Sequence, residues 1–409
     1  MNETKPRNTQ APLAGLRVVD LSRLVAGNML TLQLADFGAE VIKVEAIGTG
    51  DPLRHWLSCA PGSDESFDSW WQVYGRNKRS LSLNLRSDAA REILLSLLEL
   101  ADVLVESFKP GTLESMGLAP DELLDRYDRL VIVRVSGWGQ TGPYSGLPGF
   151  GSLIEGMCGF ANSHMTIDGK PTLPNMALAD MVAGLTGAFA TMAALRQVEQ
   201  GDGRGQVIDL SLLEPMLAVM GPQATAWART GVLPDPRTKI ASPRGVFRCG
   251  DGKWISLSGS TEKMAERVFI AIGCGELYES DPDFRSNAGR LGRDAEIDTY
   301  INAFVSGRSR EECLAYFRNR SITVGPIYDV EGLVADTHIV ERHAFVKQQG
   351  GTDRAVFMHQ PTPRMSRTPG VVRHMAPKLG EHSREILSAA GVESEAIDVF
   401  IRKGIVECL

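Results

Sequence analysis

Two periodicities alternate along the first third of the chain. "LRVVDLS" (16–22), "EVIKVE" (40–45), "RSLSLNL" (79–85), "DVLVESF" (102–108) and "RLVIVRVS" (129–136) are short apolar runs, which predicts buried strands. Between them, "MLTLQLADFGA" (29–39) and "DAAREILLSLLELA" (88–101) place apolar residues at helical spacing. The first ends near Gly38 and the second is started by Asp88. Strand, helix, strand at this spacing predicts βαβ units and a mostly parallel, Rossmann-like α/β sheet. From Ala177 to Thr230 the pattern is helical and alanine-rich, interrupted by the turn "QGDGRGQ" and the strand "VIDLSL". "GVFRCGDGKWISLSG" (245–259) reads as a hairpin around an Asp-Gly turn. Helices at 261–272, 291–306 and 309–320 follow, and the tail (379–406) reads as two short helices.

Composition narrows the field. The 409 residues are 43% hydrophobic and 23% charged, enough for two domains with filled cores. A net charge of −7 argues against a general nucleic-acid binder, which carries a basic face. Six cysteines (59, 158, 249, 274, 313 and 408) form no CxxC pair and read as free thiols, and no HxxxH pair offers a metal site. No apolar run suggests a membrane span. The start "MNETKPRNTQ" lacks a signal-peptide core, so a cytoplasmic location is expected. The first βα turn, "DLSRLVAGN", lacks the G-x-G-x-x-G through which a backbone approaches a pyrophosphate, and there is no Walker loop. Neither a nicotinamide cofactor nor a metal is expected.

One acidic residue stands out. In "LPNMALADMVAGLTGAFA" (173–190), Asp180 lies among small and apolar neighbours, just before the run Met181, Val182, Leu185 and Phe189. It reads either as a helix cap or as a buried nucleophile. The two are compatible, because a helix N-terminus stabilises a carboxylate.

The ordered segments "PLAGLRVVDLSRLVAGNMLTLQLADFGAEVIKVEAIGTGDPLRHW", "NKRSLSLNL", "ADVLVESFKPGTLESMGL", "VSGWGQTGPYSGLPGFG", "LADMVAG", "GRGQVIDLSLLEPML", "DGKWISLS" and "LGEHSREIL" resemble the class III coenzyme A transferases. That superfamily includes formyl-CoA transferase, carnitine-CoA transferase and α-methylacyl-CoA racemase. The resemblance implies a large Rossmann-like domain from both chain ends (11–225 with 331–409) and a smaller inserted α/β domain (226–330). It also implies an interlocked homodimer. Asp180 falls at the position of the family's nucleophile. The CoA-contacting positions fall on Val25, Ala26, Asn84, Leu85, Arg86, Ser107, Phe108, Lys109 and Met116, with Arg86 and Lys109 as candidate phosphate-binding cations.

Three positions depart from formyl-CoA transferase: its CoA-binding arginines fall on Ala46 and Ser115, and its early glutamine on Val25. Lys43, Arg54, Lys78 and Arg79 are candidates to replace that charge. Gln140, Tyr144 and Phe150 are candidates to position the acyl group. The activity implied is transfer of CoA from a short acyl-CoA, succinyl-CoA among the family's donors, to a carboxylic acid.

Racemisation is the alternative, and it needs acid–base groups on both faces of the α-carbon. The racemases' histidine position holds Phe150, and the following aspartate is Gly151. His55 and His164 are scattered candidates to substitute. A CoA-ester-binding protein without activity is a third reading. A glycine-rich lid is not assignable near "SPRGVF" or "SLSGST".

Overall fold

A computed structural model describes residues 11–56, 68–166, 168–233, 235, 239–349 and 355–409. Cys59 lies outside them, and the other five cysteines are free thiols. By internal contacts the chain divides into two compact units, Met1–Ala226 with Phe345–Leu409, and Trp227–Ala344.

The first unit is built on a parallel sheet. In chain order its elements begin β1 (Arg17–Asp20), α1 (Leu24–Asp36), β2 (Glu40–Glu45), α2 (Ser69–Tyr74), β3 (Lys78–Leu83), α3 (Asp88–Leu98) and β4 (Val103–Glu106). They continue α4 (Thr112–Ser115), α5 (Pro120–Arg126), β5 (Val131–Ser136), α6 (Gly151–Met157), α7 (Phe160–Ser163), α8 (Leu178–Gln200) and β6 (Val207–Ser211). The second unit contributes the antiparallel strands β7 (Arg244–Arg248), β8 (Trp254–Ser258) and β9 (Thr323–Ile327). The hairpin β10 (Phe345–Gln349) and β11 (Ala355–His359) and the short β12 (Val406–Glu407) return to the first unit.

The large sheet runs β12-β3-β2-β1-β4-β5-β6, all parallel except β12. Its six parallel strands therefore follow the 3-2-1-4-5-6 order of a doubly wound sheet, with the order reversing between β1 and β4. The apolar strand sequences follow from burial on both faces. Val18, Val41, Val103, Val105, Val131 and Val133 join one core, with α1 and α8. Their neighbours Val19, Ile42, Leu104 and Ile132 join another on the opposite face, with α3. The second unit has its own core around Phe247, Phe269, Phe284 and Phe317.

Two expectations change. α1 begins at Leu24, five residues before the predicted start, because Leu24 takes a left-handed conformation (φ 61°) that turns the chain directly into the helix. In addition, α8 is long and apolar enough to cross a membrane by length and composition, contrary to the expectation of no such run. Its Ala183 and Gly184 are buried, and it packs on α1.

Small residues make that packing close. A Cβ on Gly184 would lie 2.7 Å from the Ala26 carbonyl oxygen, and one on Gly187 would press on Leu30 and Leu210. The start of α8 is thereby brought against the start of α1.

Candidate active site

Ligands of doubly wound sheets bind beyond the carboxyl ends of the strands, where the strand order reverses. Here that point is marked by the loops after β1 and β4, joined by the Arg23 N–H donating to Ser107 Oγ at 2.9 Å. Two cavities open there, both within the first unit. One of about 840 Å³ is lined by residues following β1 to β4, among them Asn84, Leu85, Arg86, Arg91 and Met116. The other, about 420 Å³, is lined by Leu24, Ala26, Ser107, Trp138, Phe150 and Asp180. Arg23, Phe108 and Lys109 line both, so the two form adjoining parts of one site.

A buried ionic cluster supports the floor of this site. Asp20, Lys43, Asp51 and Lys78 are all at most 2% exposed. Lys43 Nζ lies 3.2 Å from Asp20 and 3.1 Å from Asp51 and also donates to the Ser22 carbonyl, while Lys78 Nζ reaches Asn28 Oδ1 at 2.7 Å. Asp51 Oδ1 accepts the Leu24 N–H at 2.9 Å, which holds the strained turn into α1. Burial pushes the Asp20 carboxyl up, but Lys43 and Lys78 together hold it below its ordinary value. Lys78, buried and facing Lys43, falls to about 8 despite Asp20.

Asp180 is the third residue of α8 and not its cap. Ala177 occupies the cap position without a side-chain bond. The free N–H of Ala179 is instead taken by Glu155 Oε1 of α6, at 3.1 Å. Burial and the Glu155 charge push the Asp180 carboxyl up to about 6, against the opposing pull of its own N–H and that of Ala26. Gly151 makes room for it, since a Cβ there would overlap Asp180 Oδ2. The position of the racemases' second acidic residue is thus occupied by the nucleophile candidate's own oxygen.

The sequence-derived site residues divide. Ala26, Asn84, Leu85, Arg86, Ser107, Phe108, Lys109, Met116, Phe150 and Asp180 line the two cavities. Val25 does not, because its side chain is buried with Leu53 and Trp71. Gln140 and Tyr144 also stay outside the lining. The Gln140 N–H is held by Asp209 of β6, and Tyr144 is exposed, edge-on to Trp138 at 5.5 Å. Neither His55 nor His164 lines the Asp180 cavity, and His164 stacks on Phe160 instead.

The four candidate replacement cations are committed elsewhere. Lys43 and Lys78 belong to the buried cluster, Arg54 grips Glu45 and lies over Trp71, and Arg79 bridges Glu40 and Glu385. Ala46 and Ser115 do line the larger cavity, and the cations beside them are Arg23, Arg86, Arg91 and Lys109. Arg23 and Arg91 went unnoticed in the sequence. Arg23 had a usable signal, its place three residues past β1 at the switch point.

Comparison with known proteins identifies the family. Residues 13–383 match the family described as CoA-transferase family III. Succinyl-CoA–D-citramalate CoA-transferase of Chloroflexus aurantiacus is 33% identical over 92% of this chain and 93% of its own length. The beta subunit of succinyl-CoA–L-malate CoA-transferase from the same organism is 34% identical over 93% and 94%. A CAIB/BAIF family protein from Brucella suis superposes with a TM-score of 0.81 at 29% identity, covering 93% of this chain and 100% of that one. The chain belongs to CoA-transferase family III and is an enzyme of that class.

Proposed function

We propose that the protein is an acyl-CoA:carboxylate CoA-transferase with Asp180 as its nucleophile. The observation that carries this reading is the placement of Asp180, in the first turn of α8, facing the α1 N-terminus in a cavity that adjoins a larger cation-lined one. The CoA nucleotide occupies the larger cavity, with Arg86 and Lys109 toward its phosphates. Neither cation forms an ion pair among the described residues, so both are available to a ligand.

The thioester carbonyl then lies against Asp180. A carboxylate oxygen attacks that carbon, a C–O bond forms, the C–S bond breaks, and CoA leaves as thiolate. The resulting mixed anhydride is attacked at Asp180 Cγ by the thiolate, which releases the donor acid and leaves an aspartyl-CoA thioester. An acceptor carboxylate reverses both steps and regenerates Asp180. The Ala26 N–H, aimed at the Asp180 carboxylate, is placed to hold oxygen charge as it develops. Racemisation is disfavoured because the cavity wall offers Phe150 and, among the described residues, no histidine.

The relatives named for succinyl-CoA make it the first donor to test, with short dicarboxylic acids as acceptors. A new acyl-CoA detected by mass spectrometry supports the reading; unchanged succinyl-CoA with every acceptor tried contradicts it. Truncating both Arg86 and Lys109 to alanine raises KM for acyl-CoA roughly ten- to a hundredfold, on the scale of charge-assisted hydrogen bonds, while kcat stays within about twofold. A fall confined to kcat would remove these cations from the binding role.

An interlocked homodimer is part of the proposal. Leu153 and Met157 on α6 and Leu185, Phe189 and Met192 on α8 expose a broad apolar surface, as an interface requires. Sedimentation is expected to give a dimer, weakened by Phe189→Glu. A native monomer would refute it.

A further inference from the structure

The first turn of α8 needs an acceptor for Ala179, and a neutral glutamine on α6 would serve. The chain uses Glu155 there, 3% exposed, with its Oε1 on the N–H of Ala179, the residue next to Asp180. A second carboxylate beside a buried one costs electrostatic energy, because like charges close together in a poorly hydrated site repel strongly. That cost falls unequally on the states of the reaction. Free enzyme holds two neighbouring carboxylates, Asp180 on the cavity wall and Glu155 buried outside its lining. The anhydride and the aspartyl-CoA thioester hold one, since acylated Asp180 is neutral.

We infer that Glu155 is a positioning residue that holds the first turn of α8 and, through its charge, destabilises free Asp180 relative to the covalent aspartyl intermediates. The inference rests on the reading of Asp180 as nucleophile. Gly151 completes the arrangement: with no Cβ there, Asp180 Oδ2 is accommodated against the same helix that carries Glu155. The Asp180 carboxyl, held up to about 6 by burial and by Glu155, agrees with this geometry.

Other charged and titratable groups on the surrounding elements are Arg23 and Lys109 on the cavity wall, Tyr74 on α2 and Asp51 beneath the start of α1. Among the described residues Glu155 is the one whose charge bears directly on Asp180.

Glu155→Gln tests this, because the glutamine retains an acceptor for the Ala179 N–H. In the native enzyme, transfer activity falls with acid through an ionisation near 6. In the variant that limb moves down toward the ordinary carboxylate range. The same electrostatic penalty enters both equilibria, so the ratio of covalent to free enzyme under acyl-CoA falls about tenfold for each pH unit the limb moves. Acid-quenched intact-protein mass spectrometry reads that ratio.

An unmoved limb with an unchanged ratio overturns the inference and leaves the nucleophile reading standing. A native acid limb in the ordinary carboxylate range, near 3.8, overturns it without the variant, since the free carboxylate is then not destabilised. A native enzyme that forms no adduct on Asp180 removes the nucleophile reading, and this inference falls with it.

Discussion

Replacing Asp180 by asparagine abolishes CoA transfer, by about ten-thousand-fold or more, and stabilises the protein at neutral pH. The loss of activity follows because an amide cannot form the anhydride, and removal of a covalent nucleophile takes the whole route with it. The gain in stability follows from linkage. The Asp180 carboxyl sits near 6 in the folded protein against 3.8 in the unfolded chain. Between those values the folded state binds more protons, so its stability falls as pH rises through this window, and the penalty is complete above it. Asparagine carries no such penalty. The expected gain at pH 7 is about 1–3 kcal/mol, absent at pH 3.5. Urea unfolding at the two pH values measures it. Full transfer activity, or an equal stability change at both pH values, would contradict this account.

Lys43→Met produces the largest loss of stability, about 3–5 kcal/mol, because it leaves two carboxylates without their shared cation. Lys43 is fully buried between Asp20 and Asp51, and burial alone would lower its pKa; the surrounding carboxylates raise it instead. Their own values are depressed, so this cluster stabilises the fold above pH 3.8 and loses that contribution as pH falls through the lower folded values. A chemical-denaturation midpoint that falls with an unchanged slope is the expected signature. Activity falls too, since Asp51 also holds the Leu24 N–H and thereby the start of α1 facing Asp180. A loss below about 1 kcal/mol would show that the cluster does not support the site.

The parallel strands were legible because both faces of the sheet are covered, which places adjacent apolar residues such as Val41-Ile42 and Leu130-Val131-Ile132-Val133 within "EVIKVE" and "RLVIVRVS". The hairpin of β7 and β8 was legible for a local reason, its Asp251–Gly252 turn, where Gly252 has a φ of 80°. The start of α1 was not, because the left-handed Leu24 is held by Asp51, 27 residues away.

Asp180 was conspicuous as an acidic residue in an apolar stretch, but its environment depends on long-range contacts. Glu155 comes from another helix, and Gly151 makes room that no local pattern reveals. Cations were misassigned for a similar reason. Lysine and arginine look alike along a chain whether they face a buried carboxylate, as Lys43 does, or a cavity, as Arg23 does. Only packing separates those roles.

The central claim is that a covalent bond forms on Asp180. The direct measurement is peptide mass spectrometry after incubation with succinyl-CoA and a hydroxylamine quench, which converts an activated aspartyl carbonyl into a stable hydroxamate. The account predicts hydroxamate on the peptide containing Asp180, dependent on acyl-CoA and absent from Asp180→Asn. Transfer activity with no modification at Asp180 would contradict it.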